Sequence, residues 1–209
     1  MVQLKGLFKL APSLAIKYFK NKNNKFSWDW YELWQDAHKK SFTVAKVMRE
    51  DILKDIRSAL DKALSEGKTF KEFSKELKPT LQKKGWWGEQ IVVDSQGVAE
   101  KVQLGSMYRL KTIYSVNMQV AYQTGRYKTQ VDNAENRPYW EYVAVMDTAT
   151  RPEHAMLNGL IYRYDDPFWQ SFYPPNGWRC RCRVNALSDY KVQKNKSIVS
   201  SSEGTCLLY

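Results

Sequence analysis

Three cysteines and two histidines in 209 residues leave few groups for thiol or metal chemistry. The thiols, Cys180, Cys182 and Cys206, are odd in number and too few for a disulfide framework, and a reducing cytoplasmic origin is expected. No apolar run approaches the roughly eighteen residues that a transmembrane helix needs. No glycine-rich phosphate cradle and no nucleic-acid-binding fingerprint is present. Acid is also in short supply. Asp and Glu number 22 against 33 Lys and Arg, a formal charge of +11. A basic chain suits a polyanionic partner.

What is present argues for a folded protein. Hydrophobic residues make up 43% and aromatics 14%, enough to bury a core and to exclude a disordered chain. The charge is uneven. Residues 1–85 hold 19 basic and 10 acidic side chains, residues 86–209 hold 14 and 12. The first 25 residues contain six lysines, Lys5, Lys9, Lys17, Lys20, Lys22 and Lys25, and no acid. Lys9 and Pro12 interrupt the apolar stretch near Leu7, and no small-residue cleavage site follows, so a basic arm is expected over 1–26 rather than a signal peptide.

Apolar residues at three- and four-residue spacing from Trp30 to Leu64 predict one long helix over 27–66, capped by Ser27 or Asp29 and stopped by Gly67. A second helix is expected over 69–84, with Phe70, Phe73, Leu77 and Leu81 as its stripe. Trp86 and Trp87 are expected to pack back on these helices. Residues 91–97 read as a connector with a short strand and turn, and helical spacing returns over 98–131 with Asn117 as a polar member of its apolar face. After Pro138 the pattern becomes β-like: strands are expected at 139–146, 160–164 and 178–187. Thr150 and Glu153 have capping-box spacing for a short helix. Residues 165–176 read as a loop and those beyond Tyr190 as a mobile tail. The expected organisation is α+β: a basic arm over 1–26, a helical domain over 27–97, an α+β domain with a small antiparallel sheet over 98–190, and a tail over 191–209.

Chemistry concentrates in Arg179-Cys180-Arg181-Cys182-Arg183. In a strand, alternation would turn both thiols to one face and three arginines to the other. Two thiolates on one face are half a zinc site, and Asp147 and His154 are the candidate remaining ligands. The alternative is a hydrogen-bonded structural cluster of the same four residues. A Cys–His pair is also the minimum for a thiol nucleophile, yet no oxyanion hole is evident. His38 reads as a surface or packing residue of the long helix. The arginines suit phosphate, or an internal ion-pair network with Asp165 and Asp166. No residue is assigned a catalytic role.

Several stretches, in order, resemble a known family. Arg109-Leu110-Lys111-Thr112-Ile113-Tyr114, Asn117, Gln119, Ala121-Tyr122 and Gly125-Arg126-Tyr127 look like the helix that opens the phage Mu F-type (MuF) domain. Asp147 to His154, with Leu157-Asn158-Gly159, look like its central motif. Asp166-Pro167-Phe168-Trp169, Pro174-Pro175-Asn176-Gly177 and Cys180-Arg181-Cys182 follow in the family's order, so the resemblance covers about residues 100–187.

The resemblance implies a phage head-morphogenesis, or minor head, protein without enzymatic activity. Such a protein is expected in the virion, inside the head near the portal, after synthesis in the host bacterial cytoplasm. Its implied partners are the portal protein, packaged double-stranded DNA and a major capsid or scaffold protein, with no membrane. Asp147, His154, Cys180 and Cys182 match the family's signature polar positions, and zinc is the candidate cofactor. The basic arm and Arg179, Arg181 and Arg183 are candidate contacts to DNA or an acidic protein surface. Only about twenty residues follow Leu187, so a form without an appended toxin or enzyme domain is expected. The rival expectations are a zinc- or thiol-dependent enzyme acting on nucleic acid, and a plain DNA-binding accessory protein.

Overall fold

The computed structural model describes residues 13–25, 41–93, 99–177 and 179–202. The chain forms two units divided between Ala121 and Tyr122. In the first, α1 (Ser13–Lys20) leads to β1 (Asn23–Asn24), which pairs in parallel with β2 (Ser41–Phe42). Helices α2 (Glu50–Glu66) and α3 (Phe70–Lys83) follow, then a hairpin of β3 (Glu89–Val93) and β4 (Ala99–Gln103), then α4 (Met107–Asp132), which runs across the division.

The amphipathic spacing of α2 and α3 makes the core. Ile52, Leu53, Ile56, Leu60 and Leu64 from α2 are buried with Phe73, Leu77 and Leu81 from α3, and with Phe19 and Phe42. Burial of apolar side chains such as these contributes about 1.5–3 kcal/mol each before chain entropy is counted. Gly67, at φ 68°, closes α2 in the left-handed conformation that a side chain disfavours. Thr69 and Glu72 form a reciprocal capping box at the start of α3. Trp86 is buried in this core, its indole N–H donating to the Lys46 carbonyl at 3.1 Å, and Trp87 packs beside it.

Two helical expectations need correction. In the described part of the stretch expected as one helix over 27–66, residues 41–49 are not helical and the helix starts at Glu50. Phe42, Thr43 and Val44 are aromatic or β-branched and favour extended backbone, and Lys46, at φ 58°, lies outside right-handed helical space. The earlier part of that stretch, with His38, lies outside the described residues. The helix expected from 98 begins at Met107, because Ala99–Gln103 pairs with Glu89–Val93. Gly105 separates strand from helix. A Cβ there would come within 2.4 Å of the Trp86 carbonyl oxygen, so only glycine fits.

The second unit is a three-stranded antiparallel sheet in the order β6-β5-β7, made of β5 (Tyr139–Val143), β6 (Ile161–Arg163) and β7 (Arg183–Leu187). Helix α5 (Pro152–Met156) lies between β5 and β6 in sequence, α6 (Phe168–Phe172) between β6 and β7, and α7 (Asp189–Lys194) after β7. Its core is aromatic: Trp140 meets Trp169 edge to face at 5.6 Å between ring centroids, and Tyr162 stacks on Phe168 at 4.1 Å. Quadrupole-favoured ring geometry adds about 0.5–1.5 kcal/mol per pair beyond burial. The mixture of helices and small antiparallel sheets is the expected α+β class.

Details differ from the sequence reading. The expected loop over 165–176 contains α6, whose start is held by the buried Asp166: its Oδ1 accepts from the Phe168 N–H at 2.8 Å. The capping box at Thr150 does not form. Its hydroxyl donates to the Val145 carbonyl and lies 3.1 Å from Asp147 Oδ1, while Arg151 precedes α5 without a side-chain cap. Beyond Tyr190 the chain continues in α7. Ser200 bridges to Tyr162, and Ser202 hydrogen-bonds Asp166 through both its N–H and its hydroxyl. Among the described residues no helix is long and apolar enough to cross a membrane.

Candidate metal centre

The third strand begins only at Arg183, so Cys180 and Cys182 lie on irregular chain just before it. Arg179, at φ 57°, turns the backbone there. The alternation expected of a strand nevertheless holds: both cysteines are buried, and Arg179, Arg181 and Arg183 are exposed. Buried β-strand neighbours and two helix glutamines hold the segment. Gln123 and Gln130, seven residues apart on α4, donate to the Cys182 and Val184 carbonyls, each at 2.9 Å. Tyr173 in turn donates its hydroxyl to Gln130 Oε1 at 2.8 Å.

His154 comes from α5, whose rigid start is set by Pro152 at the first helical turn. The turn after the helix is braced to β5. Gly159, at φ 82°, donates its N–H to the Tyr142 carbonyl, and Asn158 Oδ1 accepts from the Ala144 N–H at 2.9 Å. This brace brings the imidazole to the thiols. His154 Nδ1 lies 3.7 Å from Cys182 Sγ. Ligand atoms of His154, Cys180 and Cys182 all lie within 4.8 Å of one another, and all three residues are buried.

Electrostatics in this cluster favour neutral groups. Burial pushes the Cys180 thiol up to about 11, while backbone N–H groups of Asn176 and Cys182 oppose the shift. Burial and the nearby Arg151 charge hold the His154 imidazole below its ordinary value. The buried Tyr142 phenol is pushed up, first by burial and then by its hydrogen bond to Cys182. Asn176 links the parts: its side chain donates to Tyr142 Oη at 3.2 Å and to the Phe172 carbonyl at 2.8 Å. Beside His154 a cleft of about 150 Å³ is lined by Glu153, Leu157, Ser171, Phe172 and Asn176.

Asp147, the fourth residue of the sequence quartet, stands apart from this group. It is held by Arg181 through two 2.6 Å bonds, and it accepts from the Ala149 N–H. The Arg181 guanidinium and these hydrogen bonds keep its carboxyl well below the carboxylate range. Arg181 therefore has an acidic partner, but it is Asp147 and not Asp165 or Asp166. Asp165 pairs with Arg163, and Asp166 holds α6 and Ser202.

The lysines of the basic arm divide. Lys17, Lys20 and Lys25 are exposed, with Lys20 3.9 Å from Asp61. Lys22 is buried, over the Tyr18 ring at 5.0 Å, and burial lowers its ammonium to about 8; this removes it from the surface contacts expected of the arm. Lys5, Lys9 and Cys206 lie outside the described residues. Sequence reasoning missed Gln123, Gln130, Tyr142 and Asn176 as supports of the cluster. The seven-residue spacing of the two glutamines on a helical face was the available signal.

A helical first unit and an α+β second unit that closes a Cys-x-Cys/His cluster define the kind of protein in hand. The chain belongs to the Phage Mu protein F like protein family, whose sequence model matches residues 54–185. It is 52% identical over 186 residues to "Putative capsid assembly protein F" of Escherichia phage Mu, covering 89% of this chain and 42% of that protein. It is 48% identical over 178 residues to "Mu-like prophage FluMu F protein" of Haemophilus influenzae, covering 85% of this chain and 42% of the relative. The chain thus spans 42% of the length of each of these relatives. No solved structure matches it.

Proposed function

We propose that this chain serves phage capsid assembly as a non-catalytic component of the head. The observation that carries the reading is its 52% identity, over 89% of its length, to a protein named for capsid assembly. In finer detail, the protein sits in the head interior near the portal and contacts the portal protein and packaged double-stranded DNA. Support for the DNA contact is the run of six lysines without acid in the first 25 residues, three of them, Lys17, Lys20 and Lys25, exposed. Non-specific phosphate contact needs only such a cationic surface. Cys180 is disfavoured as a thiol nucleophile, because a thiol held at about 11 supplies little thiolate near neutral pH.

Co-sedimentation of the protein with assembled portal rings, in the presence and absence of the major capsid protein, tests the assembly role. Association with either is expected, and failure to associate with any head component would overturn it. For DNA, binding should weaken steeply as salt rises. A flat salt response, or unchanged affinity after deletion of residues 1–25, would remove the assigned phosphate contact.

A further inference from the structure

The geometry points to a binding site for one thiophilic divalent cation, zinc in the first instance, formed by His154, Cys180 and Cys182 in the second unit. The inference stands on the cluster and not on the assembly reading. Three donors of the types zinc prefers are buried within 4.8 Å of one another, although α5 and the segment before β7 are far apart in sequence. A tetrahedral zinc with bonds of about 2.3 Å to sulfur and 2.0–2.1 Å to nitrogen sets its S–N edge near 3.6 Å and its S–S edge near 3.8 Å. The Cys182 Sγ to His154 Nδ1 separation is 3.7 Å. Closing the third donor onto this edge takes shifts of about 1 Å at most, within the reach of side-chain rotation.

The surroundings resemble the outer shell that thiolate ligands require. Tyr142, Cys180 and Cys182 are buried in one cluster, and polar groups of Tyr142 and of the Asn176 and Cys182 backbone act on the sulfurs. Donors aimed at sulfur stabilise a thiolate more than a thiol, and such partners orient metal ligands elsewhere. Asn176 supports Tyr142 from behind, at 3.2 Å. A purely apolar packing role for two small cysteines would require none of these groups. Asp147 is not a ligand, since Arg181 occupies both its oxygens. Three protein donors leave a fourth position, filled by solvent from the cleft beside His154. The ion's effect is to tie α5 to the start of β7 and so to hold the second unit closed.

Titration of the reduced, purified chain with cobalt(II) alone, followed by zinc displacement, tests the site. One equivalent of cobalt should give tetrahedral visible bands and a thiolate-to-metal charge-transfer band, both abolished by one equivalent of zinc. Cys180→Ser and Cys182→Ser should each lose about half of the charge-transfer intensity, one thiolate of two. Tyr142→Phe should keep the stoichiometry and weaken affinity by about tenfold or more. Folding of each variant is checked by near-ultraviolet circular dichroism of the aromatic core. The wild-type titration needs no variant: absence of charge-transfer absorption at a large excess of cobalt, in folded and reduced protein, overturns the proposal. So does a band that persists unchanged in the double cysteine variant. A Cys180–Cys182 disulfide that persists in the purified chain after treatment with reductant would overturn it as well.

Discussion

The two units solve the burial problem with different chemistry. In the first, aliphatic residues of α2 and α3 pack with Phe19, Phe42, Phe73 and Trp86, and the only buried polar or charged residues among those described are Lys22 and Ser74. In the second, Gln123, Gln130, His154, Asp166 and Ser202 are buried beside an aromatic cluster. Aliphatic contact is non-directional and tolerates repacking. Buried hydrogen bonds are directional, and each one left unmade costs a desolvation penalty. The first unit is therefore specified by pattern, the second by particular partners. The first unit also contains directional bonds, and Arg109 makes several of them. Its guanidinium donates to the Gln103, Leu104 and Ala45 carbonyls and lies 4.9 Å from the Trp86 ring centroid, and burial lowers it to about 10.

The sharpest way to break this contrast is to empty each core. Trp140→Ala, at a side chain with no exposure, should destabilise the second unit by about 3–5 kcal/mol, and Leu60→Ala the first by about 2–5 kcal/mol. Urea unfolding followed by near-ultraviolet circular dichroism and tryptophan fluorescence reads both. Equal sensitivity here is expected, because cavities cost the same in either chemistry. The difference should emerge with gentler changes. Gln130→Leu leaves the Tyr173 hydroxyl and Val184 carbonyl without the amide that joins them, and should cost about 2–3 kcal/mol. Leu60→Met, at similar volume, should cost less than about 1.5 kcal/mol. If the glutamine change is as mild as the methionine change, directional bonding does not distinguish the units.

Lys22 gives a smaller effect of opposite sign. Its ammonium titrates near 8 in the fold, against about 10.4 in an unfolded chain. The unfolded state therefore binds the extra proton between these values, and stability rises with pH across that window; below about 8 the buried charge is a constant cost. Lys22→Met should raise the urea midpoint at pH 7 and remove the part of the rise between pH 8 and 10.5 that the wild type shows. An unchanged pH profile would mean that the ammonium is not desolvated. The smallest effect belongs to the exposed Asp147–Arg181 pair. Asp147 is depressed, so its contribution is present above the ordinary carboxylate range and disappears as pH falls through the depressed value. Asp147→Asn should shift the acid limb of unfolding slightly and less at high salt, with the neutral-pH midpoint almost unmoved.

Much of the helical part was legible because periodicity is local. Ile52 to Leu64 and Phe70 to Leu81 carry the spacing that the burial confirms. The errors came where spacing was matched without packing: Ala45 and Met48 fit the expected helical stripe but precede the helix, and Ala99–Gln103 paired with Glu89–Val93. For the site, the alternation expected in Arg179 to Arg183 matches the buried thiols and exposed arginines, and His154 lies beside the thiols. Asp147 was grouped by nearness in sequence, whereas its oxygens went to the nearest guanidinium in space. Asn176 entered only as part of a motif and Tyr142 not at all, since a side chain that braces another is recognised only by what it touches.

By itself the sequence determined the α+β class, the family, the basic first half and the Cys-x-Cys/His grouping. These follow from composition, local spacing and ordered motifs, which act over a few residues. Tertiary structure alone decided which carboxylate answered Arg181, that Lys22 is inside, and that residues up to Ser202 are pinned to Asp166. Those outcomes depend on contacts between segments tens of residues apart. Burial then fixes each group's ionisation, because the cost of a charge is set by the solvent that the whole fold leaves around it.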